Sequence, residues 1–157
     1  QLGYIIGQEN LAKTLKKYFT DFAFKHPTPT NFIRTAEKIS DLQLQWYLNG
    51  WTQTTNKIDY AVSEVKDKKI TLKRIGNLPM PIDLKVIYID GSTENFYIPL
   101  RMLLGNKPNS ATIINDWSWT SPTYTFITTK PVKNVEIDPS QLMADVDRTN
   151  NTSEVKK

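Results

Sequence analysis

Ile82-Asp83-Leu84-Lys85-Val86-Ile87-Tyr88-Ile89-Asp90-Gly91-Ser92-Thr93-Glu94-Asn95-Phe96-Tyr97-Ile98 is the stretch that decides the fold. Ile82, Leu84, Val86 and Tyr88 recur every second residue, which places them on one face of a strand. Asp90-Gly91 is a hairpin signal, and Asn95-Phe96-Tyr97-Ile98 reads as the return strand. Upstream, Ile58, Tyr60 and Val62 alternate with polar residues, and Ile70, Leu72 and Arg74 do so after a turn at Lys66-Asp67-Lys68. Downstream, residues 105–109 read as a loop, and 111–114, 124–128 and 132–137 supply further short strands. Roughly seven strands with turn signals about every 8–12 residues predict an antiparallel, Ig-like β-sandwich. No crossover helix separates them, so a parallel sheet is not expected.

Before Asn56 the period is 3.6. Leu2, Tyr4, Ile5 and Ile6 read as the last turn of a helix ended by Gly7. Leu11, Leu15, Tyr18, Phe19 and Phe22 share one helical face, with Lys13, Lys16, Lys17 and Asp21 opposite. Thr28-Pro29 is a helix start, since Thr caps and Pro suits the first helical position. Phe32, Ile33, Ala36 and Ile39 then form an apolar stripe. Ser40 and Asp41 close that helix and cap another carrying Leu44, Tyr47, Leu48 and Trp51. The expected organisation is α+β. Residues 1–56 form a segment of about three helices, 57–144 a β-sandwich, and 145–157 a polar, solvated tail.

Composition excludes several chemistries. The chain has 157 residues, 20 Lys+Arg against 16 Asp+Glu, and a formal charge of +4. It has no Cys and one His. There is thus no thiolate nucleophile, no Cys-type zinc site and no two-His site such as H-E-x-x-H. No glycine-rich phosphate loop occurs, no apolar run is long enough to span a membrane, and no signal peptide opens the chain. The chain starts at Gln1 and is expected to be cut or processed from something longer.

Four constellations carry candidate chemistry. His26, between Lys25 and Pro27, lacks an identifiable acid and nucleophile and reads as a structural histidine bonding a loop carbonyl. Trp117 and Trp119 would share a face if they lay on a strand, and read as packing before they read as a stacking platform. Glu136, Asp138, Asp145 and Asp147 lack the spacing of a calcium loop and read as a solvated turn. Lys66, Lys68, Lys69, Lys73 and Arg74 are mostly Lys without interleaved aromatics, which argues for a solvated hairpin over a nucleic-acid surface.

The run Phe24-Lys25-His26-Pro27-Thr28-Pro29-Thr30-Asn31-Phe32-Ile33, followed by Glu37-Lys38, Ser40 and Trp46-Tyr47, forms a recognisable pattern. Trp51 with Thr54-Thr55-Asn56-Lys57-Ile58-Asp59-Tyr60 continues it. Together they resemble the stretch downstream of the zinc site in gluzincin aminopeptidases of the aminopeptidase N and leukotriene A4 hydrolase type, the bacterial branch most closely. Tyr4-Ile5-Ile6-Gly7-Gln8-Glu9 with Leu15 and Tyr18-Phe19, Ile98-Pro99-Leu100, Asp116-Trp117-Ser118-Trp119-Thr120, Pro122-Thr123-Tyr124, Asp138-Pro139 and 144–151 also resemble parts of that family. The resemblance implies helices that end a thermolysin-like catalytic domain, followed by a β-sandwich. It places the family's H-E-x-x-H, Glu ligand, G-x-M-E-N motif and oxyanion Tyr upstream of Gln1.

No catalytic, cofactor-binding or metal-binding residue is therefore assigned here, and zinc is implied for the parent alone. The implied partners are the parent's own catalytic domain and its peptide substrate, and bacterial relatives are often exported. The chain by itself is expected to be inactive, and to self-associate through helical surface that the parent buries. The alternative is a β-sandwich module that binds carbohydrate or peptide. A nucleic-acid binder, suggested only by charge, ranks last.

Overall fold

The computed structural model describes residues 1–154. Among them are four helices and eight strands, with the helices first, so the fold is α+β. The chain divides into a helical unit, residues 1–56 with 101–109, and a β unit, 57–100 with 110–157.

In the helical unit, α1 (Leu2–Ile6) is buried along its whole length and ends at Gly7, whose φ of 89° suits glycine. α2 (Gln8–Phe22) buries only part of the stripe expected of it: Leu11, Tyr18 and Phe22 are half-buried. Thr14 is fully buried, while Leu15 and Phe19 are 51% and 74% exposed. Tyr18 still turns inward, with its ring edge-on to Phe32 at 5.2 Å. The buried line thus runs through Thr14 and Tyr18, i and i+4. Hydrophobic periodicity includes Leu15 and Phe19 and passes over Thr14, because a threonine does not register as apolar.

α3 (Pro29–Ser40) starts as expected. Asn31 Oδ1 accepts from both the N–H and the hydroxyl of Thr28, each at 2.8 Å. It ends at Asp41, which takes a left-handed φ of 55° and so does not cap the next helix. α4 (Gln45–Gln53) is capped instead by Leu44, whose N–H donates to Glu37 Oε1 at 2.8 Å.

Residues 101–109 are a second departure, because they join the helices. Gln43 N–H donates to the Leu103 carbonyl at 2.9 Å. Lys107 Nζ donates to the Tyr4 carbonyl at 2.9 Å and lies 4.3 Å from the centre of the Tyr4 ring. That ring contact stabilises an ammonium by about 0.5–1 kcal/mol.

The β unit holds two sheets. One has the order β1 (Tyr60–Lys66), β2 (Lys69–Arg74), β6 (Thr123–Ile127). The other has the order β5 (Thr112–Ile113), β4 (Thr93–Ile98), β3 (Ile82–Tyr88), β7 (Val132–Ile137), β8 (Thr152–Glu154). The β3–β4 hairpin pairs Ile82 with Ile98 and Leu84 with Phe96, so the alternating apolar set lies on one face. Phe96 meets Phe126 of the other sheet at 5.4 Å, edge-on. Two features correct the expectation. β4 and β5 pair in parallel over two residues, and β8 is an eighth strand.

β8 lies in the expected tail. The stretch 145–154 is not a loose tail: Val146, Asp147, Thr149 and Thr152 are exposed, but Ile137 N–H donates to the Asn151 carbonyl at 2.9 Å, and β8 pairs with β7. Polar side chains do not prevent backbone pairing, which is why composition misread it. The tail's last three residues lie outside the described residues.

Tyr60 anchors the interior of the β unit. It is buried, and its hydroxyl oxygen accepts from Met80 N–H at 2.8 Å. Burial pushes its phenol up to about 12. An ordinary phenol titrates near 10. A raised pKa contributes stability that is complete below about pH 10 and is lost as pH rises to about 12. The shift corresponds to roughly 2–3 kcal/mol. Tyr88 and Tyr124 are also pushed up to about 12, each chiefly by burial. In an alkaline titration followed at 295 nm, these phenols should ionise only as the β-sheet circular dichroism collapses. Complete ionisation near pH 10 with the sheet intact would contradict this.

Candidate functional site

The two tryptophans separate. Trp117 forms an isolated bridge with Leu100 and is buried, 4% exposed. Its indole N–H donates to the Ser121 carbonyl at 2.8 Å. Its ring packs against Tyr60 at 5.5 Å and Tyr124 at 5.4 Å, and Tyr124 continues to Phe126. Trp119 lies in the turn beyond the bridge, so strand alternation does not apply. It is 41% exposed, and the Arg74 guanidinium stacks over it at 4.2 Å. Arg74 Nη2 also donates to the Trp119 carbonyl at 2.7 Å, so the indole is held from its own backbone. One tryptophan is core, and the other is a braced aromatic surface.

The acidic residues are structural. Asp138 is fully buried at a φ of 48°, and its carboxylate accepts from Met143 N–H at 2.8 Å and Ser140 Oγ at 2.6 Å. Arg148 lies 3.5 Å away. Asp145 Oδ2 accepts from Tyr60 N–H and its Oδ1 from Asp147 N–H, both at 3.0 Å. Burial raises the Asp145 pKa, and the two backbone donors oppose the rise. Asp147 caps the turn at 148–150 by accepting from Thr149 N–H. Glu136 sits in β7 opposite Lys85 of β3. Among the described residues no group of three His, Cys, Asp or Glu side chains is placed to hold a metal ion.

His26 is exposed in the segment between α2 and α3, and among the described residues it makes no hydrogen bond or ion pair, so the expected carbonyl bond is not formed. Lys66, Lys68, Lys69 and Lys73 are exposed along the β1–β2 hairpin, and Arg74 is committed to Trp119. One polar cleft of about 230 Å³ lies between α2 and α3, lined by Lys17, Asp21, Phe22, Asn31, Arg34, Thr35 and Lys38. Sequence reading missed it, because its side chains come from two helices and form no motif. Lys17 is paired with Asp21 at 2.8 Å along its α2 wall. Among the described residues no helix is long and apolar enough to cross a membrane.

No family model and no curated protein matches this chain.

Proposed function

We propose that this chain is the non-catalytic C-terminal part of a protein resembling a zinc aminopeptidase. In this reading the helices complete a catalytic domain that holds the zinc. The β unit, taken as an Ig-like sandwich, supports the cavity that receives the peptide. The observation that carries the reading is the apolar surface left on the helical unit. Leu15, Phe19 and Phe24 are all exposed, which a domain that ends at its own surface does not require. A catalytic domain would cover them.

Phe19 supplies the test. Phe19→Ser should change the stability of the present chain by no more than about 0.5 kcal/mol, because the ring is exposed. In a chain extended upstream through an H-E-x-x-H segment it should cost about 2–4 kcal/mol, the scale of truncating a buried aromatic. The extended chain should cleave an aminoacyl-4-nitroanilide and lose that activity to a chelator, whereas the present chain cleaves none. An upstream sequence without H-E-x-x-H, or equal effects of Phe19→Ser in both chains, sinks the proposal.

A second reading rests on Trp119. Its braced, half-exposed indole suits stacking against a sugar or a peptide proline. Glycan or peptide binding lost in Trp119→Ala with the fold intact would favour it.

A further inference from the structure

The backbone of β6 uses only one of its two sides. Thr128 N–H donates to the Lys68 carbonyl at 2.9 Å, and Arg74 N–H donates to the Pro122 carbonyl at 2.8 Å. With Ile127 opposite Lys69 and Thr123 opposite Lys73, the even-numbered residues of β6 carry the ladder to β2. The N–H and C=O groups of Thr123, Thr125 and Ile127 therefore face away from β2. No strand pairs with that side among the described residues. The Thr123 carbonyl accepts from Ser121 Oγ at 2.7 Å.

Proteins ordinarily protect such an edge with charge, proline or a bulge. β1, the other edge of this sheet, has a bulge between Val62 and Glu64 and carries Glu64 and Lys66. β6 has none of these. Its sequence Thr-Tyr-Thr-Phe-Ile is uncharged and rich in β-formers, and its register is unbroken. Ile127 is 76% exposed.

Charge also permits self-approach here. The β unit contains twelve Lys or Arg and twelve Asp or Glu residues, while the helical unit has eight and four. The net +4 of the chain therefore resides on the helical unit, and the β unit is neutral.

We propose that β6 pairs antiparallel with β6 of a second copy of this chain, about a two-fold axis at Thr125. In that register Thr125 faces its own counterpart and Thr123 faces Ile127. The same outward N–H and C=O groups satisfy one another from both sides, as an isologous contact requires. The two three-stranded sheets become one, and the exposed Ile127 side chain gains a neighbour across the new pair. This contact does not depend on the aminopeptidase-like reading and does not involve the apolar helical surface.

Sedimentation equilibrium and amide exchange on the whole chain test it. The mass should rise from 18.1 kDa toward twice that with concentration. The Thr125 and Ile127 amides should gain protection over the same range. Thr125→Pro deletes an outward N–H and leaves the β2 ladder whole. Ile127→Lys places a charge on the edge. Each should weaken the dimer at least about tenfold, with far-UV circular dichroism unchanged, and Phe19→Lys should leave the dimer as it was. Should Thr125→Pro fail to fold, Ile127→Lys and wild-type exchange decide the matter. A wild-type chain that stays monomeric to its solubility limit overturns the proposal. So do amides at 125 and 127 whose exchange ignores concentration, or a dimer lost with Phe19→Lys but kept with both β6 variants.

Discussion

Trp117→Ala should cost the β unit about 3–5 kcal/mol, the range for truncating a buried large aromatic. The indole is enclosed by Tyr60 and Tyr124, and its N–H is committed to the Ser121 carbonyl. Removing it opens a cavity beside Tyr60 and leaves that carbonyl without its donor. Trp119→Ala is the matched control. It removes a stack on Arg74 worth about 0.5–1 kcal/mol and little burial. Urea denaturation followed by far-UV circular dichroism reads both. Equal effects would mean that the two tryptophans are not divided between core and surface. The contrast also matters for function, since only Trp119 is placed where a ligand can reach it.

Gly76→Ala should cost a similar amount, about 3–5 kcal/mol, for a different reason. Gly76 lies against the backbone of residues 57–59. Its N–H and that of Ile75 both donate to the Asp59 carbonyl, at 2.9 and 2.8 Å. A methyl group there would overlap the Lys57 carbonyl oxygen and come within 2.6 Å of Asp59 N. Backbone cannot swing aside as a flexible side chain can, so the crossing must open. Gly91 gives the comparison. It sits at a φ of 83° with open space around it, so Gly91→Ala meets only conformational strain, about 1–2 kcal/mol. A melting temperature for Gly76→Ala no lower than for Gly91→Ala would remove the steric account.

Local signals carried far where neighbours in sequence are neighbours in space. The Thr28-Pro29 start, the Asp90-Gly91 turn and the β1–β2 and β3–β4 hairpins are all of that kind. They failed where partners lie far apart in the chain. Lys107 and Tyr4 are separated by 103 positions, and Tyr60 and Asp145 by 85. Nothing in residues 145–154 advertises a backbone partner, because strand pairing is made by groups that every residue has. The α2 stripe holds at Leu11, Tyr18 and Phe22 and fails at Leu15 and Phe19. Thr14 is small enough to be buried at a helix contact, while Leu15 and Phe19 face outward.

The candidate site divides in the same way. From residue types alone the sequence determined that a two-His zinc centre and thiol chemistry are impossible here, and that helices precede strands. Only the tertiary structure decided that Trp117 is enclosed while Trp119 is braced in the open. It alone showed that Asp138 and Asp145 spend their carboxylates on backbone donors, and that β6 leaves one side unpaired. The physical reason is that periodicity fixes which way a side chain leaves its own element. What it meets there depends on elements brought together by burial and backbone hydrogen bonding, and those forces do not read the order of the chain.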